Sequence, residues 1–96
     1  MLISILSESD RIWCRERTEL LFGGVTVVSK GVVHTPAELP GFIAIEGPER
    51  VGVATFNIDG DRCELVTLDA LCQWRGVGTA LLKAVAERHG VTSQGT

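Results

Sequence analysis

Three strand-like runs joined by two short turns are the feature that most constrains how this 96-residue chain can fold. The runs cover residues 42–46, 51–57 and 62–69 and are rich in apolar and β-branched residues. In the turns between them, Pro48 presets a turn φ and Gly60 supplies a positive one. The sequence therefore predicts an antiparallel meander.

A strand and a helix are predicted before the meander. Residues 2–6 are apolar enough for a strand, and Ser7 with Asp10 three residues later has the form of a capping box. Charged residues, Arg17 among them, predict the solvent face of this helix, and Gly23 with Gly24 predicts its end. The apolar residues at roughly helical spacing predict its buried face: Ile12, Trp13, Leu20 and Leu21.

A second helix is predicted after the meander, over residues 77–89. Its apolar residues recur at i, i+3, i+4, i+7 and i+8, which is the stripe of a helix that packs on a sheet. Gly90 follows as a C-terminal cap, and residues 91–96 form a polar tail. Between the first helix and the meander, residues 25–33 are strand-like, and residues 34–41 predict a loop with His34 at the surface.

Composition indicates one globular domain over residues 1–96, because 45% of the residues are apolar and 22% are charged. A net charge of −3 without a basic cluster predicts no nucleic-acid partner. No apolar run approaches the roughly 20 residues that a membrane span requires, so we expect no membrane association. Cys14, Cys63 and Cys72 form no C-x-x-C pair, which predicts neither a disulfide framework nor a metal site and favours a reducing cytoplasm.

The junction between the last strand and the second helix, residues 70–79, carries two glycines, Gly76 and Gly78. A helix that begins near Val77 directs several backbone amides and a positive partial charge at one point, and glycines let a phosphate approach the main chain. A turn that only reverses the chain would have the same composition, so both interpretations stand at this point. The spacing matches neither the nucleotide P-loop nor the dinucleotide fingerprint.

The same junction resembles the GNAT family of N-acetyltransferases, whose signature [QR]-x-x-G-x-[GA] stands here as Gln73-Trp74-Arg75-Gly76-Val77-Gly78. Thr79-Ala80-Leu81-Leu82 follows as the start of the helix. The order of predicted elements agrees with the family from residue 1 to about residue 89. The resemblance implies an α/β (α+β) fold with a mixed, largely antiparallel sheet flanked by helices, which ends here after the family's third helix.

The resemblance also implies acetyl-coenzyme A as the cosubstrate. Its pyrophosphate would lie on the amides of residues 74–79, and its pantetheine arm would pair like an extra strand with the backbone near Leu68, Asp69 and Ala70. Trp74 replaces a glycine that many members carry, and Ala70 replaces a frequent proline. The implied cofactor-binding residues are Leu68, Asp69, Ala70, Gln73, Trp74, Arg75, Gly76, Val77, Gly78 and Thr79.

In this family the acetyl group passes directly from the thioester to an amine, with a base that keeps the amine neutral and an acid for the thiolate. Glu64, midway along the last strand, is the candidate catalytic base, and Asp69 and Glu46 are the next candidates. Each could instead be a strand carboxylate that faces solvent. The family's acid is commonly a tyrosine from a later region, and this chain contains no tyrosine.

The family continues beyond the third helix with a fifth strand and further elements, so residues 62–69 are expected to form an open sheet edge here. Such an edge predicts a homo-oligomer by pairing between copies, which light scattering at micromolar concentration tests; a clean monomer would contradict it. Three functional interpretations remain: an acetyltransferase domain that a partner or second copy completes, a non-catalytic module that binds coenzyme A or a protein, and an inactive truncated product.

Overall fold

The computed structural model describes residues 1–29, 31–71 and 76–89, with Ser29 and His89 described only in their backbone. The elements follow one another as β1 (Leu2–Ile5), α1 (Glu8–Phe22), β2 (Val27–Ser29), β3 (Val32–His34), a 3-10 helix (Pro36–Glu38), β4 (Gly41–Glu46), β5 (Glu49–Asp59), β6 (Arg62–Ala70) and α2 (Val77–His89).

The central sheet has four strands in the order β1-β4-β5-β6, and every neighbouring pair is antiparallel. The predicted meander is confirmed as β4, β5 and β6, and its second turn has Gly60 at φ +66°. The predicted strand-like stretch at residues 25–33 is a separate hairpin of β2 and β3. The fold is therefore mixed α+β, with a largely antiparallel sheet flanked by helices.

The described residues form two α-helices and one short 3-10 helix, so α2 is the second α-helix and not the third that the resemblance implied. The segment between α1 and β4 contains Pro36 at the start of the 3-10 helix and Pro40 just after it. Because proline removes an amide donor and fixes φ, this segment cannot extend into a regular α-helix across Pro40.

The two faces of the sheet bury separate apolar clusters, because successive strand residues point to opposite sides. One cluster lies under α2 and consists of Phe42, Ala44, Val51, Ala54, Phe56, Val77, Leu81 and Val85. The other lies under α1 and consists of Leu6, Cys14, Ile43 and Val53. Burial raises the pKa of the Cys14 thiol, which fits a role as a small core residue.

The predicted stripe of α2 is confirmed, since Val77, Leu81 and Val85 are all buried. Gly52 of β5 allows this close contact. A Cβ atom at Gly52 would lie 2.7 Å from Cγ1 of Val77 and 3.1 Å from Cδ1 of Leu81, closer than side chains tolerate. The helix therefore rests directly on the backbone of β5.

The predicted buried face of α1 is wrong for three of its four residues, whereas Trp13 is half-buried and packs against the cluster under this helix. Ile12, Leu20 and Leu21 are 60%, 74% and 51% exposed, and the buried residues are Asp10, Cys14 and Thr18. The polar members of this face have hydrogen-bond partners: Thr18 donates its hydroxyl to the carbonyl of Cys14 at 2.8 Å, and Asp10 accepts from Ser7 and Arg50. A buried polar group with a partner costs little, so hydrophobicity alone did not identify the face.

His34 is buried, which corrects its prediction as a surface residue. The loop after it folds against α1, where Nη1 of Arg11 donates to the carbonyls of Ala37 at 3.1 Å and Leu39 at 2.6 Å. Nε2 of His34 has no hydrogen-bond partner. The predicted Gly90 cap and the tail at residues 91–96 lie outside the described residues.

The predicted capping box is confirmed and extends into a small buried network. The Ser7 side chain accepts from the Asp10 amide at 3.3 Å, and Oδ2 of Asp10 accepts from the Ser7 amide at 2.8 Å. Oδ1 of Asp10 accepts from Nε of Arg50 on β5 at 2.8 Å. Burial alone would raise the pKa of Asp10, but these bonds from Ser7 and Arg50 outweigh it and hold the pKa below its ordinary value.

We expect Asp10→Asn to lower the free energy of unfolding at pH 7 by about 1 to 3 kcal/mol, because Ser7 and Arg50 lose their charged acceptor. A carboxylate with a lowered pKa stabilises the fold above about pH 4 and loses this contribution as the pH falls through its folded pKa. The difference between variant and wild type in urea unfolding should therefore shrink from pH 7 to pH 3. Glu16→Gln, an exposed change on the same helix, is the control, and an equal loss in both variants would contradict the account.

Candidate ligand site at the edge of the sheet

β6 has an open edge within the part of the chain that the structure describes. It pairs with β5 on one side, and none of the other described strands pairs with it on the other. The amide of Leu71 donates to the carbonyl of Val51 at 2.8 Å, so the pairing with β5 continues to the end of the strand. The expected open edge at residues 62–69 is confirmed for these residues.

A bulge interrupts β6 near its middle. Thr55 of β5 pairs with Thr67, but the next residue, Phe56, pairs with Leu65, so Val66 is an extra residue in β6. A bulge bends the strand and takes one residue out of the regular ladder, and bulges occur more often than average beside active sites. Thr55 and Thr67 are linked by their side-chain hydroxyls at 2.6 Å, which holds the register next to the bulge.

Helix α2 begins beside the end of this edge strand. Gly76 has φ +75°, and its carbonyl accepts from the amide of Ala80 at 3.0 Å, as the first hydrogen bond of the helix. By the geometry of an α-helix, the amides of residues 76–79 have no carbonyl partner within the helix. Three of the predicted cofactor-binding residues, Gln73, Trp74 and Arg75, lie outside the described residues, and so does Cys72.

Two groups of predicted site residues meet where the first turn of α2 contacts the end of β6. A Cβ atom at Gly78 would lie 3.8 Å from Cβ of Ala70 and 3.9 Å from Cδ2 of Leu68. The first turn of α2, with Val77 and Thr79, therefore lies next to residues 68–70 of β6. These two groups were predicted to contact the two parts of one ligand.

Packing against the residues that the structure describes does not explain the glycine at position 78. The distances of 3.8 and 3.9 Å are ordinary van der Waals contacts, and Gly78 has no positive φ. Alanine is favoured over glycine in a helix by about 0.5 to 1 kcal/mol. Gly78 lies in the first turn, where this cost is smaller, and a glycine there with only ordinary contacts to described residues is consistent with a surface that a ligand approaches closely.

A cleft of about 270 Å³ lies between the end of α1, β2 and the second half of β6. Its walls are mostly apolar, and Thr67 and Asp69 supply its polar atoms. It is lined by Leu21, Phe22, Val27, Val28, Val66, Thr67, Leu68 and Asp69. Sequence reasoning missed this cleft because it assigned Leu21 to the buried face of α1 and gave no role to β2.

Asp69 forms a bidentate ion pair with Arg17 of α1. The sequence had predicted that Arg17 lies on the solvent face of this helix. Nε and Nη2 of Arg17 donate to the two carboxylate oxygens at 2.8 and 3.1 Å. The guanidinium also lies 5.8 Å from the ring centroid of Trp13. The hydrogen bonds to Asp69 raise the pKa of Arg17 above its ordinary value, so Arg17 stays charged and continues to occupy the carboxylate.

The three candidate bases are not brought together. Glu64 pairs in register with Asn57, on the face of β6 that also carries Thr67 and Asp69, but it does not line the cleft. Glu46 ends β4, with β5 between it and β6, and its carboxylate lies 4.0 Å from the N-terminal amine. Of the three candidates, Glu64 and Asp69 lie on β6, on the face of this strand that borders the cleft. Arg17 already binds Asp69.

Among residues 1–29, 31–71 and 76–89, no three His, Cys, Asp or Glu side chains gather closely enough to hold a metal ion. Within the same ranges, neither helix combines the length and apolarity needed to cross a membrane.

Comparison with known proteins gives relatives without a stated activity. No protein-family model matches the chain, and no solved structure matches it significantly. Two curated proteins of Bacillus subtilis (strain 168) are similar to it over 62 residues: "Uncharacterized protein YdhI", which is 42% identical, and "Uncharacterized protein YxbD", which is 34% identical. Each alignment covers 64% of this chain but 38% of the relative, so the chain spans well under half the length of the curated relatives it matches.

The ion pair between Arg17 and Asp69 should contribute measurably to stability, because both side chains are mostly buried, at 20% and 17% exposure. In a double-mutant cycle with Arg17→Met and Asp69→Asn, we expect a coupling free energy of about 1 to 2 kcal/mol from urea unfolding. Arg15→Met, an exposed change on the same helix, is the matched control and should show coupling to Asp69→Asn of at most about 0.5 kcal/mol. Equal coupling for the two arginines would show that the bidentate contact is absent in solution.

Proposed function

We propose that this chain carries the acetyl-coenzyme A site of an N-acetyltransferase, which transfers an acetyl group to an amine. The observation that carries the proposal is the contact between the first turn of α2 and the open end of β6, where Gly78 meets Leu68 and Ala70. A helix N-terminus suits a phosphate, and an open strand edge suits the amides of a pantetheine arm. Their juxtaposition fits a ligand that contains both groups.

In this proposal, the pyrophosphate accepts hydrogen bonds from the amides of residues 76–79 and, as the resemblance implies, from Gln73, Trp74 and Arg75. The absence of a Cβ atom at Gly78 lets the phosphate oxygens reach the main chain. The pantetheine arm then pairs with the outer edge of residues 68–70, as a further strand would. This arrangement gives the glycine at position 78 a reason that packing does not supply.

The bulge at Val66 supports a position for the thioester. The pantetheine arm would run along β6 from residue 70 towards the bulge, where the strand bends and its ladder with β5 is interrupted. Backbone amides near this bend would polarise the thioester carbonyl as oxyanion-hole donors. The reacting carbonyl would then lie near the cleft, which Val66 and Thr67 also line.

The reaction itself needs little beyond positioning and proton transfer. The neutral amine nitrogen attacks the thioester carbonyl carbon, and the bond from this carbon to sulfur breaks. The nitrogen loses one proton as it becomes an amide, and the departing thiolate takes up one proton, so the protons balance. Glu64 is the proposed base that keeps the amine neutral, because it lies on β6 two residues from the bulge and on the same face as Thr67 and Asp69. A homo-oligomer formed at the edge of β6 remains a proposal alongside this one.

A non-catalytic module that binds coenzyme A is the second candidate, favoured by the ion pair with Arg17 that already occupies the carboxylate of Asp69. The two candidates share the binding site and differ in turnover. Heat of binding for acetyl-coenzyme A, together with release of free thiol in the presence of amines, supports the enzyme. The same heat without thiol release supports the module.

Gly78→Ala tests the binding site while preserving the fold. The added methyl group fits beside Ala70 and Leu68, so the free energy of unfolding should stay equal or rise by up to about 1 kcal/mol. The same methyl group would meet the bound pyrophosphate. We therefore expect calorimetric titration with acetyl-coenzyme A to show an affinity at least about tenfold lower than wild type, or roughly 1.4 kcal/mol.

Gly24→Ala is the matched control, since a Cβ atom there meets no other atom within 4 Å and the position is far from α2 in the chain. It should bind acetyl-coenzyme A as wild type does. Unchanged affinity in Gly78→Ala would contradict the proposed position of the pyrophosphate, and absence of binding to the wild-type chain would contradict the proposed function.

A further inference from the structure

We propose that the cleft between α1, β2 and β6 binds the acceptor, and that the acceptor is a small monoamine carried on a hydrocarbon group. This inference rests on the proposed function, because it places the amine beside the proposed acetyl donor. It adds the chemical class of the acceptor, which the resemblance leaves open. The residues that carry the inference are the apolar wall, with Leu21 and Phe22, and the ion pair between Arg17 and Asp69.

The size of the cleft favours a small acceptor molecule. Pockets for drug-sized ligands have volumes of about 300 to 1,000 Å³. At about 270 Å³, this cleft lies just below that range, which suits a single ring or a short branched chain. A long peptide or an oligosaccharide would leave most of its length outside.

The chemistry of the walls selects a hydrocarbon group. Six of the eight lining residues have purely apolar side chains, and these residues belong to α1, β2 and β6. The two polar side chains already have partners: Thr67 shares a hydrogen bond with Thr55, and Asp69 binds Arg17. A polar acceptor would therefore lose its hydrogen bonds to water without gaining equivalent ones from these two residues. An apolar acceptor is stabilised when its surface is removed from water.

The charged side chains beside the cleft favour an acceptor with one ammonium group over an acceptor with several. Polyamines and aminoglycosides present several positive charges and need carboxylates to receive them. Asp69 is the carboxylate that lines the cleft, and the permanently charged Arg17 binds both of its oxygens. A second ammonium group in the cleft would lie near the Arg17 guanidinium and be repelled by it.

The position of the cleft connects the acceptor to the donor. Residues 66–69 of β6 line the cleft, and residues 68–70 of the same strand form the proposed track of the pantetheine arm. An amine whose hydrocarbon group lies against Leu21 and Phe22 can therefore direct its nitrogen towards the bulge at Val66. The cleft and the donor share one strand edge, which is the geometry that direct transfer between two bound molecules needs.

The test is a titration of the whole chain with 2-phenylethylamine in the absence of acetyl-coenzyme A. Amide chemical shifts in two-dimensional NMR spectra measure the binding. We expect saturable shifts at residues that line the cleft. Spermidine, the polycationic probe, should bind at least tenfold more weakly at the same ionic strength. Equal or tighter binding of spermidine, or no saturable shift with 2-phenylethylamine, would overturn the proposal.

Two leucines on adjacent positions of α1 provide matched variants. Leu21 lines the cleft and Leu20 does not, and both are at least half exposed, so neither alanine variant should unfold the protein. Leu21→Ala should lower the affinity for 2-phenylethylamine by about five- to tenfold, because an apolar contact is lost. Leu20→Ala should lower this affinity by less than about twofold. Equal effects would overturn the proposal, and so would a change in oligomeric state with Leu21→Ala at unchanged amine affinity, since that would identify the cleft as a protein interface.

Failure of this inference is distinguishable from failure of the proposed function. If acetyl-coenzyme A binds and 2-phenylethylamine does not, the donor site stands and the acceptor assignment is wrong. If 2-phenylethylamine binds with the expected dependence on Leu21 and acetyl-coenzyme A does not bind, the cleft is an amine site and the acetyltransferase proposal is wrong.

Discussion

The contact between α2 and the backbone of Gly52 is the constraint on which the rest of this structure depends. Gly52 pairs in register with Ala70, the last residue of β6, and any side chain at Gly52 would meet Val77 and Leu81. The helix can therefore lie flat on β5 with its first turn directly beside the end of β6. The amides at the start of α2 and the open strand edge are neighbours because of this one glycine.

The two faces of the sheet give the second half of β6 two different environments. On the α2 side, the core is apolar, and Val77 at the start of the helix is fully buried in it. On the α1 side, the strand is tied by polar contacts, with Arg17 bound to Asp69 and Thr55 bound to Thr67. The cleft lies beside these polar contacts, at the end of α1, where the apolar cluster under that helix no longer reaches. One strand can therefore border both the proposed donor site, along its edge, and the proposed acceptor cleft, beside Thr67 and Asp69.

Sequence reasoning succeeded where the determining interactions are local. The turn at Gly60, the capping box of Ser7 and Asp10, and the stripe of α2 each depend on residues within a few positions of one another. It failed where the partner is distant in the chain. Arg17 looks like a solvent-facing charge until Asp69, 52 residues later, is brought beside it.

The candidate site was predictable in part for the same reason. The strand edge and the glycines of α2 follow from local pattern and from the resemblance, whereas the cleft requires α1, β2 and β6 to be placed in space. The exposed position of Leu21 could not be inferred either, because the buried face of α1 includes Asp10 and Thr18, each of which has its own hydrogen-bond partners. A weakly apolar helix has no strong periodic signal that identifies its buried side.

In the proposed function, the first turn of α2 and the end of β6 form one binding surface for a ligand with a pyrophosphate and an amide-bearing arm. Amide chemical-shift mapping with acetyl-coenzyme A on the wild-type chain tests it most directly. The account predicts that the largest changes fall together on the amides of residues 76–79 and 68–70, and that they saturate with the same dissociation constant. Changes confined to other parts of the chain, or different saturation for the two groups, would contradict it.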